Sequence, residues 1–286
     1  MKTGFICLSL IVITLCLGCK DRQVTESLDV VYGEAGGQKL VLDVFRPTVP
    51  AQAVRPAILF IHGGGWAAGS KSDYREPARN VAGLGYVTFS VNYRLTAAGR
   101  NCWPAQLDDV QRAVRWVRAH AGEYGVDPQR IAALGHSAGG HLAACLGTRE
   151  TRDNSDASLA RYSSRVTCVV DMSGPADLML PLSAQAEGIV SAWLGGPAAN
   201  QPAALRDASP VYSVDSKSAP FLIIHGRTDD LVSPKHAEVL DAALHQAGVE
   251  SELLVFDGEG HVLSKKENAD RMIKETLAFL KAHLSP

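Results

Sequence analysis

Residues 131–146 read Ile-Ala-Ala-Leu-Gly-His-Ser-Ala-Gly-Gly-His-Leu-Ala-Ala-Cys-Leu, and this stretch decides the fold. Residues 131–134 are a short apolar run of the kind that makes a strand covered on both faces. Gly135-His136-Ser137-Ala138-Gly139 then gives the spacing G-x-S-x-G, and residues 140–146 suit a helix. A strand that turns sharply into a helix through this pattern displays the central serine at its apex. The turn forces Ser137 into an unfavourable backbone conformation, and small residues are needed beside it because larger ones would collide. The helix that follows aims its N-terminus at the same point, where it favours a developing negative charge. With 26 glycines in 286 residues the five-residue pattern alone carries modest weight; the strand and helix around it carry more.

A serine hydroxyl is a weak nucleophile, so the search moves outward for a base, an acid and an anion site. His62-Gly63-Gly64-Gly65-Trp66 follows the apolar run 57–61. Three successive glycines let backbone approach a ligand and present free N–H groups, and one such donor on an oxyanion contributes about 3 kcal/mol to lowering a barrier. Trp66 is read as either a wall of an acyl pocket or a core aromatic. Of nine histidines, His261 lies in Gly258-Glu259-Gly260-His261, a loop after the last strand, and is the candidate base. His62 and His225 end strands and are expected to bond loop backbones. His136 and His141 flank the serine and face away from its proton, while His120, His236, His245 and His283 are expected on solvated helix faces. The acid is sought after the strand 221–224, where Asp229 and Asp230 both qualify. Neighbours in an extended loop point to opposite sides, so only one can face His261.

Strands are expected at 30–32, 40–45, 57–61, 87–91, 131–134, 166–172, 221–224 and 253–256. Helical patterns fill most gaps, including 107–121, a helix opened by Ser233-Pro234 and closed at Gly248, and a last helix entered through a capping box of Ser264 and Glu267. This alternation implies an α/β fold with a mostly parallel eight-stranded sheet, helices on both faces and an antiparallel hairpin at one edge. Residues 148–165 are expected as a surface loop with a short helix. Residues 180–216, a small insert after the sixth strand, are expected to hold short helices near the site.

Composition is ordinary for a globular domain, with 46% apolar and 20% charged residues. A formal charge of −2 excludes a strongly basic nucleic-acid binder. Met1-Lys2 precedes an apolar run over 5–17 that is short for a membrane span and reads as a signal peptide. Residues 16–19, Cys-Leu-Gly-Cys, resemble a lipobox with Cys19 as the lipidated residue, although Cys16 stands where Leu is usual. The expected organisation is a lipoprotein-type leader at 1–19, a tether at 20–27 and a catalytic domain at 28–286. The location that follows is the cell envelope, with a plain secretory signal and a soluble periplasmic or secreted protein as the alternative. Cys102, Cys145 and Cys168 have no metal-type spacing; Cys145 and Cys168 are expected as buried thiols, and a single bridge among the three is left open.

These motifs together make the chain resemble the bacterial esterase/lipase family related to hormone-sensitive lipase, in its small feruloyl-esterase-like branch. The resemblance spans about residues 40–280 and includes 62–66, Val91-Asn92-Tyr93-Arg94, 104–109, 135–140, Ala208-Ser209-Pro210, 225–229 and 260–261. It implies the α/β-hydrolase fold, whose triad order is Ser, Asp, His. It also implies Asp229 as the acid, four places after His225, and N–H groups of Gly64, Gly65 and Ala138 as the oxyanion hole. His136, where lipase-like relatives carry Asp, and the missing N-terminal cap point to short-acyl or aryl esters. No metal or organic cofactor is implied. The readings kept beside a serine carboxylesterase are an amide hydrolase, either an aryl formamidase or a small peptidase on the same triad, and a non-catalytic binding module. If neither Asp229 nor Asp230 serves, Asp171 and Asp177 are the next acids to test.

Overall fold

The computed structural model describes residues 23–48 and 54–285. The leader and Cys19 lie outside the described residues. In chain order the strands are β1 (Val24–Ala35), β2 (Gln38–Pro47), β3 (Arg55–Ile61), β4 (Val87–Val91), β5 (Val126–His136), β6 (Cys168–Met172), β7 (Phe221–Gly226) and β8 (Ser251–Phe256). The helices are α1 (Arg75–Ala82), α2 (Ala105–Ala119), α3 (Ala121–Tyr124), α4 (Ala138–Thr148), α5 (Ala184–Leu194), α6 (Pro202–Ala208), α7 (Lys235–Gln246) and α8 (Lys266–Leu284). The eight strands form one sheet in the order β1-β2-β4-β3-β5-β6-β7-β8. β1 and β2 form the antiparallel edge hairpin, β2 runs antiparallel to β4, and every other pairing is parallel.

Side chains alternate across this sheet and sort its core into two layers. Ala57, Leu59 and Ile61 of β3 and Ile131 and Ala133 of β5 face one layer, with Leu107, Val110 and Val114 of α2, Leu142 of α4 and Leu240 and Leu244 of α7. Ile58, Phe60, Ala132 and Leu134 face the other, with Ala78 and Ala82 of α1 and Phe279 and Leu280 of α8. Each fully buried Ile, Leu or Phe contributes about 1.5–3 kcal/mol. The central strands are covered on both faces, and the loops at their C-terminal edge carry the chemistry.

Three details differ from the sequence reading. β1 begins at Val24, inside the expected tether, because residues 24–27 pair with residues 44–47 across the hairpin. A half-exposed edge strand is polar enough to look like a linker. Residues 157–161 form turns, and no helix forms in the loop after α4, 149–165. That loop is held instead by Arg115, which donates to the carbonyls of Asp153, Leu159 and Tyr162, and by Arg118, which donates to that of Arg165. The capping box is absent: α8 starts at Lys266, and the wholly buried Glu259 carboxylate caps its approach. Glu259 accepts from Ser264 N–H at 2.7 Å, Lys265 N–H at 3.0 Å and Asn268 Nδ2 at 2.7 Å. Burial works against that charge, but these donors outweigh it and hold the carboxyl down to about 2. All three body cysteines are free thiols, with Cys145 and Cys168 buried.

One buried ion cluster ties the edge of the sheet to the loop that leaves β3. Asp43 on β2 is fully buried and accepts from Lys71 Nζ at 2.6 Å and Arg75 Nη2 at 3.1 Å. Lys71 Nζ also lies 3.0 Å from Asp29. Removing one member strands a buried ammonium, which costs about 3–5 kcal/mol when no other partner compensates. Asp29 is solvent-exposed and offsets part of this. Asp43→Ala should therefore lower the unfolding free energy by about 3 kcal/mol in urea titration. A loss below about 1 kcal/mol would show the cluster to be energetically idle.

Candidate active site

Ser137 stands between β5 and α4 with φ 57° and ψ −124°, a region that side chains with a Cβ rarely occupy. Its neighbours make room. A Cβ on Gly135 would lie 2.3 Å from the Gly139 carbonyl, and one on Gly139 would lie 2.0 Å from the Ile61 oxygen. The strained residue is pinned by its own backbone: Ser137 N–H donates to Met172 O at 2.8 Å, and His141 N–H donates to Ser137 O at 3.0 Å. The side chain is half-buried, so a ligand can reach it.

Ser137, His261 and Asp229 come together although they span 124 residues of chain. Ser137 Oγ lies 2.9 Å from His261 Nε2, and His261 Nδ1 lies 2.7 Å from Asp229 Oδ2. A carboxylate accepts only, so Nδ1 carries the proton and Nε2 is free to take one from Ser137. The other oxygen, Asp229 Oδ1, accepts from Leu231 N–H at 3.0 Å and Val232 N–H at 2.9 Å. Burial favours the protonated acid, but hydrogen bonds from His225, His261 and Val232 outweigh it and hold Asp229 well below the usual carboxylate range. Asp230 is exposed. Asp171 is buried and accepts from Gly174 N–H at 3.0 Å, while Asp177 accepts from Met179 N–H and the Tyr212 hydroxyl. Neither bonds to His261.

The glycine loop passes directly against the serine: a Cβ on Gly63 would sit 3.5 Å from Ser137 Cβ. Gly64, at φ 105°, turns the chain so that its carbonyl accepts from Ala67 and Ala68 N–H. The N–H groups of Gly64 and Gly65 bond to no other described residue. Ala138 is the first residue of α4, where a helix leaves its N–H groups unpaired. These N–H groups lie on the loop after β3 and at the N-terminus of α4, the positive end of a helix.

Several histidines are held in forms that keep them out of proton transfer. His62 Nδ1 donates to Gly63 O at 2.8 Å while its ring stacks on Tyr93. His141 Nε2 donates to Ala208 O at 2.7 Å, and its Nδ1 accepts from Trp66 Nε1 at 3.3 Å. Burial lowers the His141 pKa to about 4. His136 donates from Nε2 to the His261 carbonyl at 2.7 Å, so it braces the base through its backbone, a contact that sequence reasoning missed. His236 was expected in solvent and is instead buried: α7 packs it inward, and its Nδ1 accepts from Asp177 N–H at 3.1 Å. Trp66, read as either a pocket wall or a core aromatic, is the latter: it is 3% exposed and stacks on Trp193 with ring centroids 3.8 Å apart. It supports the loop from behind, because the indole finds an aromatic partner and a ring nitrogen there. Ile189 of α5 covers the loop; a Cβ on Gly65 would meet it at 2.9 Å. The insert 180–216 therefore places α5, α6 and two 3₁₀ turns around the site. Among the described residues, no group of three or more His, Cys, Asp or Glu is placed to hold a metal ion.

The BD-FAE family model matches residues 42–244. The probable carboxylic ester hydrolase LipM of Mycobacterium tuberculosis is 34% identical over 228 residues, covering 76% of this chain and 51% of the relative. The chain spans about half the length of the curated relatives LipM, LipQ and LipC that it matches. An ethyl acetate hydrolase of Pseudomonas putida is 30% identical over 290 residues, covering 92% of this chain and 89% of the relative. Among solved structures, a truncated carbohydrate esterase from gut microbiota superposes with a TM-score of 0.74 at 25% identity, covering 94% of this chain and 99% of the other. Thermogutta terrifontis esterase 2 with butyrate bound superposes at 0.76 and 28% identity, covering 93% and 96%. The same esterase has been solved phosphorylated by paraoxon.

Of the two neighbouring aspartates, Asp229 bonds His261 and Asp230 is exposed. Asp229→Asn should slow phosphonylation of Ser137 by a fluorophosphonate by about 10³–10⁴-fold, since the amide cannot hold the imidazole tautomer. Asp230→Asn should react at the wild-type rate. Equal rates for both variants would remove Asp229 from the acid role.

Proposed function

The chain belongs to the BD-FAE family of α/β-hydrolase esterases, and we propose that it is a serine carboxylic-ester hydrolase with Ser137, His261 and Asp229 as its triad. The observation that carries this reading is the continuous path from Ser137 Oγ to His261 at 2.9 Å and on to Asp229 at 2.7 Å. His261 takes the Ser137 proton as the oxygen attacks the ester carbonyl. The tetrahedral oxyanion rests on the N–H groups of Gly64, Gly65 and Ala138. His261 then protonates the departing alcohol, and water repeats the sequence on the acyl-enzyme. Asp229 stays ionised throughout and stabilises the imidazolium.

The substrate we propose is a short-acyl or aryl ester, with a carbohydrate-linked acetyl among the candidates. Aromatic packing supports this. Trp66, Trp193, Trp103 and His141 fill the space one helical turn beneath Ser137, and Ile189 closes in over Gly65. We further propose export and a lipid anchor at Cys19, or soluble export if the leader is a plain secretory signal; this rests on residues 1–19 of the sequence alone.

Activity on p-nitrophenyl esters tests the proposal. Ser137→Ala should reduce hydrolysis of the acetate by about 10⁴-fold or more without loss of folded protein. In the wild type, kcat/KM should fall by about tenfold or more between butyrate and octanoate, because a filled pocket excludes added methylenes. Survival of activity in Ser137→Ala refutes the nucleophile, and a rate rising toward palmitate refutes the short-acyl assignment.

A further inference from the structure

Asp229 has two imidazole partners, and only one of them faces Ser137. The other is His225, which lies within β7 and is 1% exposed. Its Nε2 lies 2.8 Å from the Val232 carbonyl and 3.2 Å from Asp229 Oδ2, the same oxygen that receives His261. Both neighbours only accept, so Nε2 carries the proton. Nδ1 is then a buried lone pair without a hydrogen-bond partner among the described residues. An unpaired buried polar atom is costly, and an apolar side chain here would avoid that cost. What the imidazole supplies in return is one N–H, donated to the Val232 carbonyl at 2.8 Å, with Asp229 Oδ2 3.2 Å from the same nitrogen. Burial favours the protonated form of Asp229, and the bond from His225 leads the contributions that outweigh it.

We infer that His225 is a positioning residue for the acid: its Nε2–H, donated to the Val232 carbonyl, is shared with Asp229 Oδ2 3.2 Å away, steadies that carboxylate toward His261 and sets the pH at which the Ser137–His261 pair becomes competent. The inference rests on the proposed triad. Charged and titratable groups face His225 from each side. Asp171 of β6 pairs with Ile223, so it projects on the same face as His225 two residues on, and the two interact electrostatically. His236 of α7 and His136 at the end of β5 also interact with it. Asp229 and, beyond it, His261 complete the surroundings. The Nε2–H stabilises the carboxylate, so its removal raises the proton affinity of the His261–Asp229 pair. The acid limb of the kcat/KM profile then moves to higher pH.

Two substitutions separate this role from packing. His225→Gln carries an amide N–H to the place of Nε2, whereas His225→Asn puts its amide where Nδ1 stands and leaves Asp229 without the donor. With p-nitrophenyl acetate, His225→Asn should lose about ten- to a hundredfold in kcat with KM nearly unchanged, and its acid limb should shift upward. His225→Gln should recover most of both. A second readout needs no substrate: the strongly downfield proton resonance of the His261–Asp229 bond should be retained in His225→Gln and shifted or lost in His225→Asn. The inference is overturned if the two folded variants behave alike with the acid limb and the resonance in their wild-type positions. A wild type that hydrolyses no ester would defeat the proposed function instead, and the resonance would still decide the part played by His225.

Discussion

At φ 57° and ψ −124°, Ser137 holds a conformation that costs a residue with a side chain about 1–3 kcal/mol. The cost is met locally. Ser137 N–H is taken by Met172 O, its carbonyl by His141 N–H, and the two glycines of the turn admit backbone where a methyl group would not fit. The strain lifts the hydroxyl out of both strand and helix, so one half-buried oxygen stands at the C-terminal edge of a sheet covered on both faces. The remaining parts of the site are arranged by where that oxygen lies.

Three loops converge on it from parallel strands. The loop after β3 brings unpaired N–H groups, the one after β7 brings Asp229, and the one after β8 brings His261. Each is secured by a buried polar contact at its base. Tyr93 donates to His62 O in the first, His225 donates to Val232 O in the second, and Glu259 gathers four hydrogen-bond donors in the third. His136 adds a tie from the elbow itself to the His261 backbone. Fixed dipoles of this kind need no reorganisation when charge develops, which is the condition for electrostatic stabilisation of an oxyanion.

Much of this was legible in the sequence because it rests on local chemistry. Continuous apolar runs marked the buried strands, G-x-S-x-G between strand and helix marked the turn, and the family resemblance picked Asp229 over Asp230. The eight strands, the edge hairpin and the insert helices follow those signals. What was not legible depends on contacts between distant segments. Polar residues 24–27 look like a linker until their partners at 44–47 are known. Ser264 and Glu267 have capping-box spacing, but Glu259 reaches the backbone first. His236 sits on a helix face that only the packing of α7 turns inward, and Trp66 could be assigned to a pocket or a core only once Trp193 was seen stacked on it. His225 was read as a backbone-bonding residue, and it is one; the Asp229 carboxylate 3.2 Å from its Nε2 lies four residues on and had no signal of its own.

The central claim is that an acyl group is carried on Ser137. Turnover of p-nitrophenyl butyrate stopped by rapid acid quench, followed by peptide mass spectrometry, tests it directly. The account predicts a butyryl adduct on the peptide containing Ser137 and on no other. Continued turnover with the acyl group on a different residue, or with no adduct at Ser137 even when alcohol release outruns acid release, would contradict it.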